Sequence, residues 1–428
     1  MITGKTIWKP LVQRLVTGQA GRFKMVRALP RWPGRLTAPG LYLHVPFCKN
    51  LCPYCPYNRI EYDEDLFAAY ERAVKQEIDL YAPHLHGQSF ASLYIGGGTP
   101  TVNWRGLLSI LRHLRERAGG VEDICAELHP GNMDAECLSA LKDAGVTMLS
   151  VGVESTSDAM LEQIKRSHDG QAGRAAVTRA LDMGFKSVNV DLMFALPGQT
   201  LEEWQADVAA IVGLGVDQLS TYPMFSFPYS DLGKTKGIHH VERPPHHTVK
   251  AMLEFTAECC EENGFHRCAV WSWLKPGKGK FSSITRHHYI GFGPSAASMT
   301  GSDFYVNTFD VKAYASKLPK ERPVAVSMSV GRRLEMAYWL YWRIYELKVA
   351  GADFRRAFGM GASLDTEFGH LLRPLIPLGL VDRENGSYRV TNLGAYWIHR
   401  LQNEFSLNYI NHLWGACRKE PWPEEVRL

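Results

Sequence analysis

The chain has 428 residues, of which 45% are hydrophobic and 21% charged, a composition typical of a globular protein with one large domain and a smaller one. No run approaches the roughly 20 apolar residues that span a bilayer, and no apolar segment follows the N-terminal lysines. These patterns argue against a transmembrane segment and a secretory signal. Three of the nine cysteines are clustered and six are scattered, unlike a disulfide framework, so we predict a cytoplasmic protein.

The net charge of +4 is unevenly distributed along the chain. Residues 1–40 contain eight lysines and arginines and no acidic residue, so the rest of the chain carries a net charge of −4. We interpret this segment as a basic N-terminal extension that packs around the main domain. The alternatives are an arm that contacts an anionic ligand or membrane surface, and an organellar transit peptide.

The first predicted strand, 41–45, ends at Pro46 and leads into three cysteines, Cys48, Cys52 and Cys55. A structural zinc site or an ordinary [4Fe–4S] site has four protein ligands, whereas three cysteines leave one iron of a cluster open to a bound molecule. The C-x3-C-x2-C spacing therefore favours such a cluster over a zinc site completed by His44 and over a chance grouping.

A second strand, 92–95, leads into the glycine-rich turn 96–101. Three consecutive glycines remove every Cβ atom, which lets the backbone approach a ligand and present its amide groups. Further strands are predicted at 122–128, 147–153, 186–193 and 217–222, with a helix over 63–81 and another that begins with the capping box Thr200–Glu203. Alternating strands and helices predict parallel strands with helices outside.

The pattern becomes irregular from about 225 to 330, where histidine pairs occur at 239–240, 246–247 and 287–288. We interpret these as surface histidines in preference to a second metal site. From 331 a new unit begins, with helices predicted near Leu334–Leu347, at 365–378 and near Leu393–Phe405, and an Asn385-Gly386 hairpin between the last two. This order is typical of a winged helix. The segment has no basic stripe, so we expect no nucleic-acid partner.

Taken together, these motifs resemble those of the radical SAM superfamily, and most closely the branch of the oxygen-independent coproporphyrinogen III dehydrogenase, which includes class C radical SAM methyltransferases. The resemblance extends from about residue 40 to residue 310. It rests on Tyr42–Cys48, Gly96–Thr101, Glu127 in Ala-Glu-Leu-His-Pro, Leu149–Glu154, Arg166, Asn189–Thr200 and Tyr289–Ser298.

The resemblance implies an α/β fold: a partial (β/α)6 radical SAM barrel with a C-terminal winged-helix-like α+β domain that covers the active site. We divide the chain accordingly into the basic extension (1–40), the barrel (41–225), an elaboration of the barrel (226–330) and the C-terminal domain (331–428).

The resemblance also implies a [4Fe–4S] cluster held by Cys48, Cys52 and Cys55, and S-adenosylmethionine (SAM) bound to its open iron. The matching positions for the cluster-bound SAM are Tyr54, Gly98, Thr99, Glu154, Arg166 and Asp191. Those for a second SAM are Tyr42, Gly97 and Glu127. A family member of this kind cleaves SAM reductively to a 5′-deoxyadenosyl radical and takes its electron from a donor such as flavodoxin or ferredoxin.

The choice of reaction depends on two departures from the family patterns. Tyr57 stands where the decarboxylase has a further cysteine, and no His-Asn-x-x-Tyr-Trp run of the haem-trafficking relative is present. We therefore predict class C methyl or methylene transfer from a second SAM to an sp2 carbon of a small unsaturated substrate, for which the aromatic helix Tyr338–Trp342 offers a flat surface. The alternatives are oxidative decarboxylation of coproporphyrinogen III, other anaerobic tetrapyrrole or haem chemistry, and a non-enzymatic haem-trafficking protein.

Overall fold

A computed structural model describes residues 14, 16–18, 23–225, 227, 229–234, 244–282 and 286–428. The strands are β1 Lys24–Val26, β2 Gly40–Val45, β3 Phe47–Cys48, β4 Ile60–Glu61, β5 Phe90–Gly97, β6 Val121–Leu128, β7 Met148–Glu154, β8 Ser187–Phe194, β9 Gln218–Pro223, β10 His266–Ala269, β11 Ser272–Leu274, β12 Tyr289–Phe292, β13 Ala297–Met299, β14 Asp303–Asn307, β15 Val324–Ser329, β16 Lys348–Ala350, β17 Val381–Glu384, β18 Ser387–Val390 and β19 Glu425–Arg427.

The helices are α1 Glu64–Leu85, α2 Trp104–Arg117, α3 Ala135–Asp143, α4 Asp158–Gln163, α5 Gly170–Asp182, α6 Leu201–Gly213, α7 Asp231–Lys234, α8 His246–Glu262, α9 Val311–Lys317, α10 Arg332–Tyr345, α11 Gly351–Phe358, α12 Leu364–Leu372 and α13 Asn392–Lys419. Short 3-10 turns occupy Pro100–Asn103, Pro130–Asn132 and Arg373–Leu375. None of the helices in the described ranges is both long and apolar enough to cross a membrane.

Six parallel strands form the centre of the main sheet, in the order β9-β8-β7-β6-β5-β2. They correspond to the six strands predicted from the sequence, which confirms the partial (β/α)6 arrangement. The strands are apolar and buried along most of their length because helices cover the outer face of a parallel sheet. Their carboxyl ends meet at one edge, the position at which barrels of this kind carry their chemistry.

The helices outside the strands begin with local signals that the sequence contains. Asp63 caps α1 by accepting a hydrogen bond from the amide of Leu66, and α6 begins with the predicted capping box between Thr200 and Glu203. Both helices turn an apolar face toward the strands, with Tyr70 and Trp204 fully buried. The predicted helices at 63–81 and after 200 are therefore confirmed, and the first extends to Leu85.

The sheet continues beyond the six strands on both sides, where the sequence pattern is irregular. On one side β12 pairs in parallel with β2 and is followed by β13, β14, β15, β1 and β19, and on the other side β11 and β10 follow β9. These strands are only three to six residues long, too short for a periodic signal. In the basic extension, Met25 of β1 is fully buried, and Arg27 pairs with Glu424 at 2.9 Å.

The C-terminal unit contains helices α10 to α13 and a separate sheet with strand order β16-β18-β17. The predicted hairpin is confirmed: Asn385 and Gly386 both adopt positive φ angles between β17 and β18. Helix α13 continues to Lys419, well beyond the predicted end at Phe405. This extension brings the end of α13 back to the barrel, as described below.

Candidate functional site

The three clustered cysteines lie on one loop at the carboxyl end of β2. Cys48 ends β3 and is 7% exposed, and the amide of Cys55 donates a hydrogen bond to the carbonyl of Cys52 at 3.2 Å. None of the three forms a disulfide. Burial raises the pKa of the Cys55 thiol to about 12, and nearby Cys48 and Cys52 add to this effect. A cationic group bound among the thiols would favour the charged thiolate form and would therefore lower this pKa.

The spacing of the three sulfur atoms argues against a single metal ion. The three thiols do not lie within 4.8 Å of one another. Thiolates that share one zinc ion at 2.3 Å are separated by about 3.8 Å. A multi-iron cluster separates its thiolate ligands more widely because each binds a different iron. Three thiols that do not form such a compact group argue against one shared zinc ion and are compatible with a cluster in which each thiolate binds a different iron.

His44, the residue considered as a fourth zinc ligand, has other partners. Its Nδ1 atom lies 2.6 Å from the hydroxyl of Tyr42, and its Nε2 atom lies 2.8 Å from the carbonyl oxygen of Asn58. Burial lowers the pKa of His44 to about 4, so the imidazole is neutral and contributes one donor and one acceptor. His44 thus connects β2 to the end of the cysteine loop instead of binding metal.

The amides of the glycine-rich turn form hydrogen bonds within the protein, whereas the sequence predicts that they face a ligand. The amides of Gly97, Gly98 and Thr99 are donated to Glu127 Oε2 at 3.1 Å, Val45 O at 2.8 Å and Phe47 O at 2.7 Å. The prediction that these amides face a ligand is therefore wrong. The missing Cβ is what matters, because a Cβ at Gly98 would lie 3.0 Å from Cys48 Sγ and 2.7 Å from Phe47 O. Thr99 Oγ1 donates to Cys48 Sγ at 3.6 Å.

Three carboxylates project from adjacent strands near the cysteine loop: Glu127 from β6, Glu154 from β7 and Asp191 from β8. Burial raises the pKa of each, and that of Asp191 reaches about 7 with Glu154 and Glu127 contributing repulsion. We call these residues the carboxylate ring. Glu154 also adds repulsion to the raised pKa of Glu127, and buried carboxylates grouped in this way form a site that attracts a cationic ligand.

The partners of the carboxylate ring differ from one member to the next. Glu127 accepts hydrogen bonds from the Tyr94 hydroxyl and the Gly97 amide. Asp191 accepts from Ser150 Oγ at 2.7 Å and Asn189 Nδ2 at 2.9 Å. Glu154 accepts from the Tyr222 hydroxyl at 2.6 Å. The sequence analysis missed these donors, whose strand positions face the same interior as the carboxylates.

Glu154 occupies an unusual backbone conformation. Its φ angle is +70°, and the pairing between β7 and β8 shifts register between Gly152 and Glu154. A bulge at a strand end re-aims the side chain that follows it, and a left-handed non-glycine residue carries strain that is concentrated at functional sites. The predicted position of Glu154 in the site is consistent with this local geometry.

Arg166 lies between the cysteine loop and the carboxylate ring. Its Nη2 atom donates to the carbonyl of Gly152, and its Nη1 atom lies 3.8 Å from Cys52 Sγ. Its Nε atom is buried and has no partner among the described residues. A guanidinium with one unused donor beside the half-buried Cys52 thiol fits a carboxylate-bearing ligand.

Two further arginines hold the cysteine loop from the outside. Arg59 donates to the carbonyl of Cys52, and Arg418, near the end of α13, donates to the carbonyl of Pro56 at 2.8 Å. The Arg418 guanidinium also lies over the Tyr229 ring, 5.0 Å from its centroid. The sequence analysis missed Arg418, since 362 residues separate it from Pro56.

A family model of the radical SAM superfamily matches residues 42–211, the stretch that contains the cysteine loop, the glycine-rich turn, the carboxylate ring and Arg166. Residues 42–211 of the chain form a radical SAM domain. The family supplies a [4Fe–4S] cluster and SAM as cofactors, and members need an electron donor. Free thiols too widely spaced for one ion, an unpartnered Arg166 Nε and a buried carboxylate ring all fit these groups.

Over a longer stretch, the chain is similar to proteins of two kinds. It is 27% identical over 362 residues to "Heme chaperone HemW" of Bacillus subtilis, covering 82% of this chain and 95% of the relative. It is 26% identical over 406 residues to "Oxygen-independent coproporphyrinogen III oxidase" of Escherichia coli, covering 89% and 88%. The solved structure of coproporphyrinogen III oxidase (HemN) from Escherichia coli has a TM-score of 0.74 at 23% identity, covering 88% of this chain and 93% of that chain.

These similarities overturn one prediction. Methyl or methylene transfer to a small unsaturated substrate was preferred because of Tyr57 and the missing His-Asn-x-x-Tyr-Trp run. The relatives matched over more than four fifths of this chain are a haem chaperone and a coproporphyrinogen III oxidase, not methyltransferases. Similarity along more than four fifths of the chain outweighs one substituted loop position, Tyr57, and one absent short run.

Proposed function

We propose that this protein is a radical SAM enzyme that acts on a tetrapyrrole, with oxidation of a porphyrinogen side chain as its reaction. The observation that carries the proposal is the pairing of an unpartnered Arg166 Nε with the carboxylate ring beside three free thiols. This donor set matches a ligand that has both a carboxylate and cationic groups, as SAM does.

The residues of the site take distinct roles in this proposal. Cys48, Cys52 and Cys55 hold the cluster, and Arg166 binds the carboxylate of SAM through Nε. Glu154 and Asp191 accept hydrogen bonds from the amino or ribose groups of SAM. Together the cluster and SAM supply a strong hydrogen-abstracting agent once one electron is delivered, by a flavodoxin or ferredoxin in our proposal.

In this proposal Tyr54, Gly98 and Thr99 form one wall of the pocket that holds the cluster-bound SAM. Tyr54 packs against a buried apolar group made of Ile164, Met193, Leu196 and Met224. Such a wall excludes water, which protects a reactive carbon centre from side reactions. The glycine at position 98 keeps the wall thin, since a side chain there would collide with Phe47 and Cys48.

A second SAM subsite is part of the proposal, formed by Tyr42, Gly97 and Glu127. Glu127 is buried, and its carboxylate already organises Gly97 and Tyr94. A carboxylate held by two donors keeps further acceptor capacity for a ligand's amino or hydroxyl group. Equilibrium dialysis should give two SAM molecules per wild-type chain and one in Glu127→Ala.

The tetrapyrrole ligand is supported by the names of both kinds of relative. It is also supported by helix α10 of the C-terminal unit. Tyr345 lies close enough to Asp191 for the carboxylate to contribute to its raised pKa. Trp342 lies between two tyrosines of the same helix, with its ring centroid 6.0 Å from those of Tyr345 and Tyr338. Aromatic rings of this kind stack on a flat macrocycle.

A haem carrier is the second candidate, and the similarity to "Heme chaperone HemW" over 82% of this chain favours it. The two candidates differ in what SAM does. An enzyme consumes SAM when its substrate is present, whereas a carrier binds haem stoichiometrically without SAM turnover.

The deciding experiment uses the anaerobically reconstituted protein with SAM and dithionite. Added coproporphyrinogen III should increase 5′-deoxyadenosine formation and release carbon dioxide, and Arg166→Ala should lose both. Tight one-to-one haem binding with no substrate-dependent 5′-deoxyadenosine would establish the carrier instead. If neither coproporphyrinogen III nor haem binds, the tetrapyrrole proposal is wrong.

A further inference from the structure

One of the histidine pairs interpreted as surface residues has a specific environment. His287 and His288 immediately precede β12, and Glu335 lies in the first turn of α10. The Nε2 atoms of both histidines approach the same carboxylate oxygen, Glu335 Oε1, at 3.0 Å and 2.9 Å. All three residues are half-buried.

We propose that His287, His288 and Glu335 form a binding site for one divalent zinc-type ion, which fastens the C-terminal unit to the barrel. Nothing in the radical SAM chemistry described above uses these residues, so the proposal is independent of the proposed function. It also replaces the interpretation of this pair as plain surface histidines.

The chemistry of the three residues suits zinc. Two imidazoles and one carboxylate are a ligand set that zinc uses, with bonds of about 2.0–2.2 Å. Ligand atoms at the corners of a zinc tetrahedron are about 3.3 Å apart, so the observed separations of 2.9 Å and 3.0 Å need to widen by only a few tenths of an ångström. The three potential ligand atoms, one from each side chain, all lie within 4.8 Å of one another. Among the described residues, no other three His, Cys, Asp or Glu side chains form such a group.

The surroundings leave room beside the ligand atoms. Gly301 has a φ of +81°, and a Cβ built there would lie 3.1 Å from His288 Nε2 and 3.4 Å from Glu335 Oε1. A glycine at this position therefore leaves the adjoining side of both ligand atoms free of a side chain. On the other side, the His287 ring packs against Phe358 of α11 at a centroid distance of 5.2 Å. An apolar wall lowers the local polarity and strengthens an ion–carboxylate interaction.

The backbone around the site is held in place before any ion binds. The carbonyl of His288 accepts a hydrogen bond from the amide of Gly40 at 2.9 Å, which fixes the histidines to the start of β2. Tyr338, one turn after Glu335, donates to the Tyr289 hydroxyl at 3.3 Å. The Tyr338–Tyr289 contact joins the same two parts of the protein that the ion would bridge, so little reorganisation opposes binding.

The site is remote from the cysteine loop. The histidines lie beside Gly40 at the amino end of β2, whereas the cysteines follow its carboxyl end. A six-residue strand separates these ends by about 17 Å. An ion at this position therefore has a structural role, as expected for the face of a barrel opposite the chemistry.

The alternative is a hydrogen-bonded triad with no metal, in which both imidazoles donate to Glu335. The substitution Glu335→Gln distinguishes the zinc site from the metal-free triad, because an amide oxygen accepts the same hydrogen bonds but is a poor zinc ligand. The histidine pair His246–His247, exposed in the first turn of α8, provides a matched control.

The test measures zinc in protein whose cluster has been reconstituted with iron, so that the cysteines are occupied. Wild type and His247→Ala should each bind one zinc with only nitrogen and oxygen neighbours at about 2.0–2.1 Å in zinc-edge X-ray absorption. Glu335→Gln and His288→Ala should bind zinc at least tenfold more weakly. Zinc should raise the thermal midpoint of wild type and His247→Ala but not that of Glu335→Gln.

The opposite results would overturn the proposal. Undiminished zinc affinity in Glu335→Gln would assign the ion to other residues, and sulfur neighbours at 2.3 Å would place it on the cysteines. The absence of zinc binding by wild type, or an equal zinc effect on the midpoints of wild type and Glu335→Gln, would leave only the hydrogen-bonded triad.

Discussion

Two buried carboxylate sites in this protein differ in how completely the protein satisfies them. Glu77 of α1 is fully buried and accepts hydrogen bonds from the Gly293 amide at 2.9 Å, Asn307 Nδ2 at 2.7 Å and the Tyr314 hydroxyl at 2.5 Å. In the carboxylate ring, Glu154 and Glu127 add repulsion to the raised pKa of Asp191, and the neighbouring Arg166 keeps an unused donor.

Both sites contain a carboxyl group whose pKa is raised by burial. Burial raises the pKa of Glu77 to about 7, the same value that Asp191 reaches in the carboxylate ring. The raised pKa therefore does not distinguish a structural carboxylate from a functional one. The two sites differ in their number of donors: Glu77 joins α1, β14 and α9 through three protein donors, whereas Glu154 of the ring has one and, in our proposal, gains others from a ligand.

The largest effect should follow loss of the cluster beside the carboxylate ring. Cys52→Ala should abolish both the [4Fe–4S] chromophore and SAM cleavage, because the loop then has only two thiolate ligands. Iron and sulfide analysis after anaerobic reconstitution should give about four of each in wild type. Cys259→Ala, at a half-buried position on α8, is the matched control and should retain both. A full cluster in Cys52→Ala would contradict the assignment.

Removing Glu77 should lower the stability of the protein and leave SAM binding unchanged. Glu77→Ala leaves three buried donors without an acceptor, which should lower the free energy of unfolding by about 3 kcal/mol. The folded fraction should still bind SAM normally, as measured by equilibrium dialysis. Glu71→Ala on the same helix removes only a half-exposed pair with Lys75 and should cost under about 1 kcal/mol. Equal costs for the two variants would mean that the Glu77 network contributes no stability.

Arg166 should affect ligand binding more than stability. Arg166→Lys keeps the charge but loses the planar fork, so SAM affinity should fall by about 10- to 100-fold, which corresponds to about 1.4–2.7 kcal/mol. The thermal midpoint of the SAM-free protein should change little. Lys165→Gln alters the exposed neighbouring cation and should leave SAM affinity unchanged. Unchanged affinity in Arg166→Lys would remove this residue from the site.

The smallest effect is a pH dependence of stability that originates at Asp191. Its pKa is about 7 in the folded protein and about 3.9 when unfolded, so its contribution to stability is fully present below pH 4 and is lost as the pH rises through 7. The SAM-free wild type should therefore become less stable relative to Asp191→Asn between pH 5 and pH 8, by roughly 1–3 kcal/mol. Thermal midpoints at both pH values test this. A pH-independent difference would mean that Asp191 does not titrate in this interval.

The amino-acid sequence determined the elements whose signal is local. Six strands of the barrel, the capping box of α6 and the Asn385-Gly386 hairpin could all be predicted because each depends on periodicity or turn chemistry within a few residues. The cysteine spacing likewise indicated the class of chemistry, since one short loop contains all three thiols. The predicted reaction, methyl or methylene transfer, is overturned by similarity to known proteins along most of the chain and not by any single position.

Only the tertiary structure decided how distant residues combine. The amides of the glycine-rich turn are used by Glu127, Val45 and Phe47, the end of α13 returns to the cysteine loop, and His287 and His288 meet Glu335. These contacts join strands and helices that are 30 to several hundred residues apart. They depend on strand register and helix packing, which side-chain periodicity within one element does not specify.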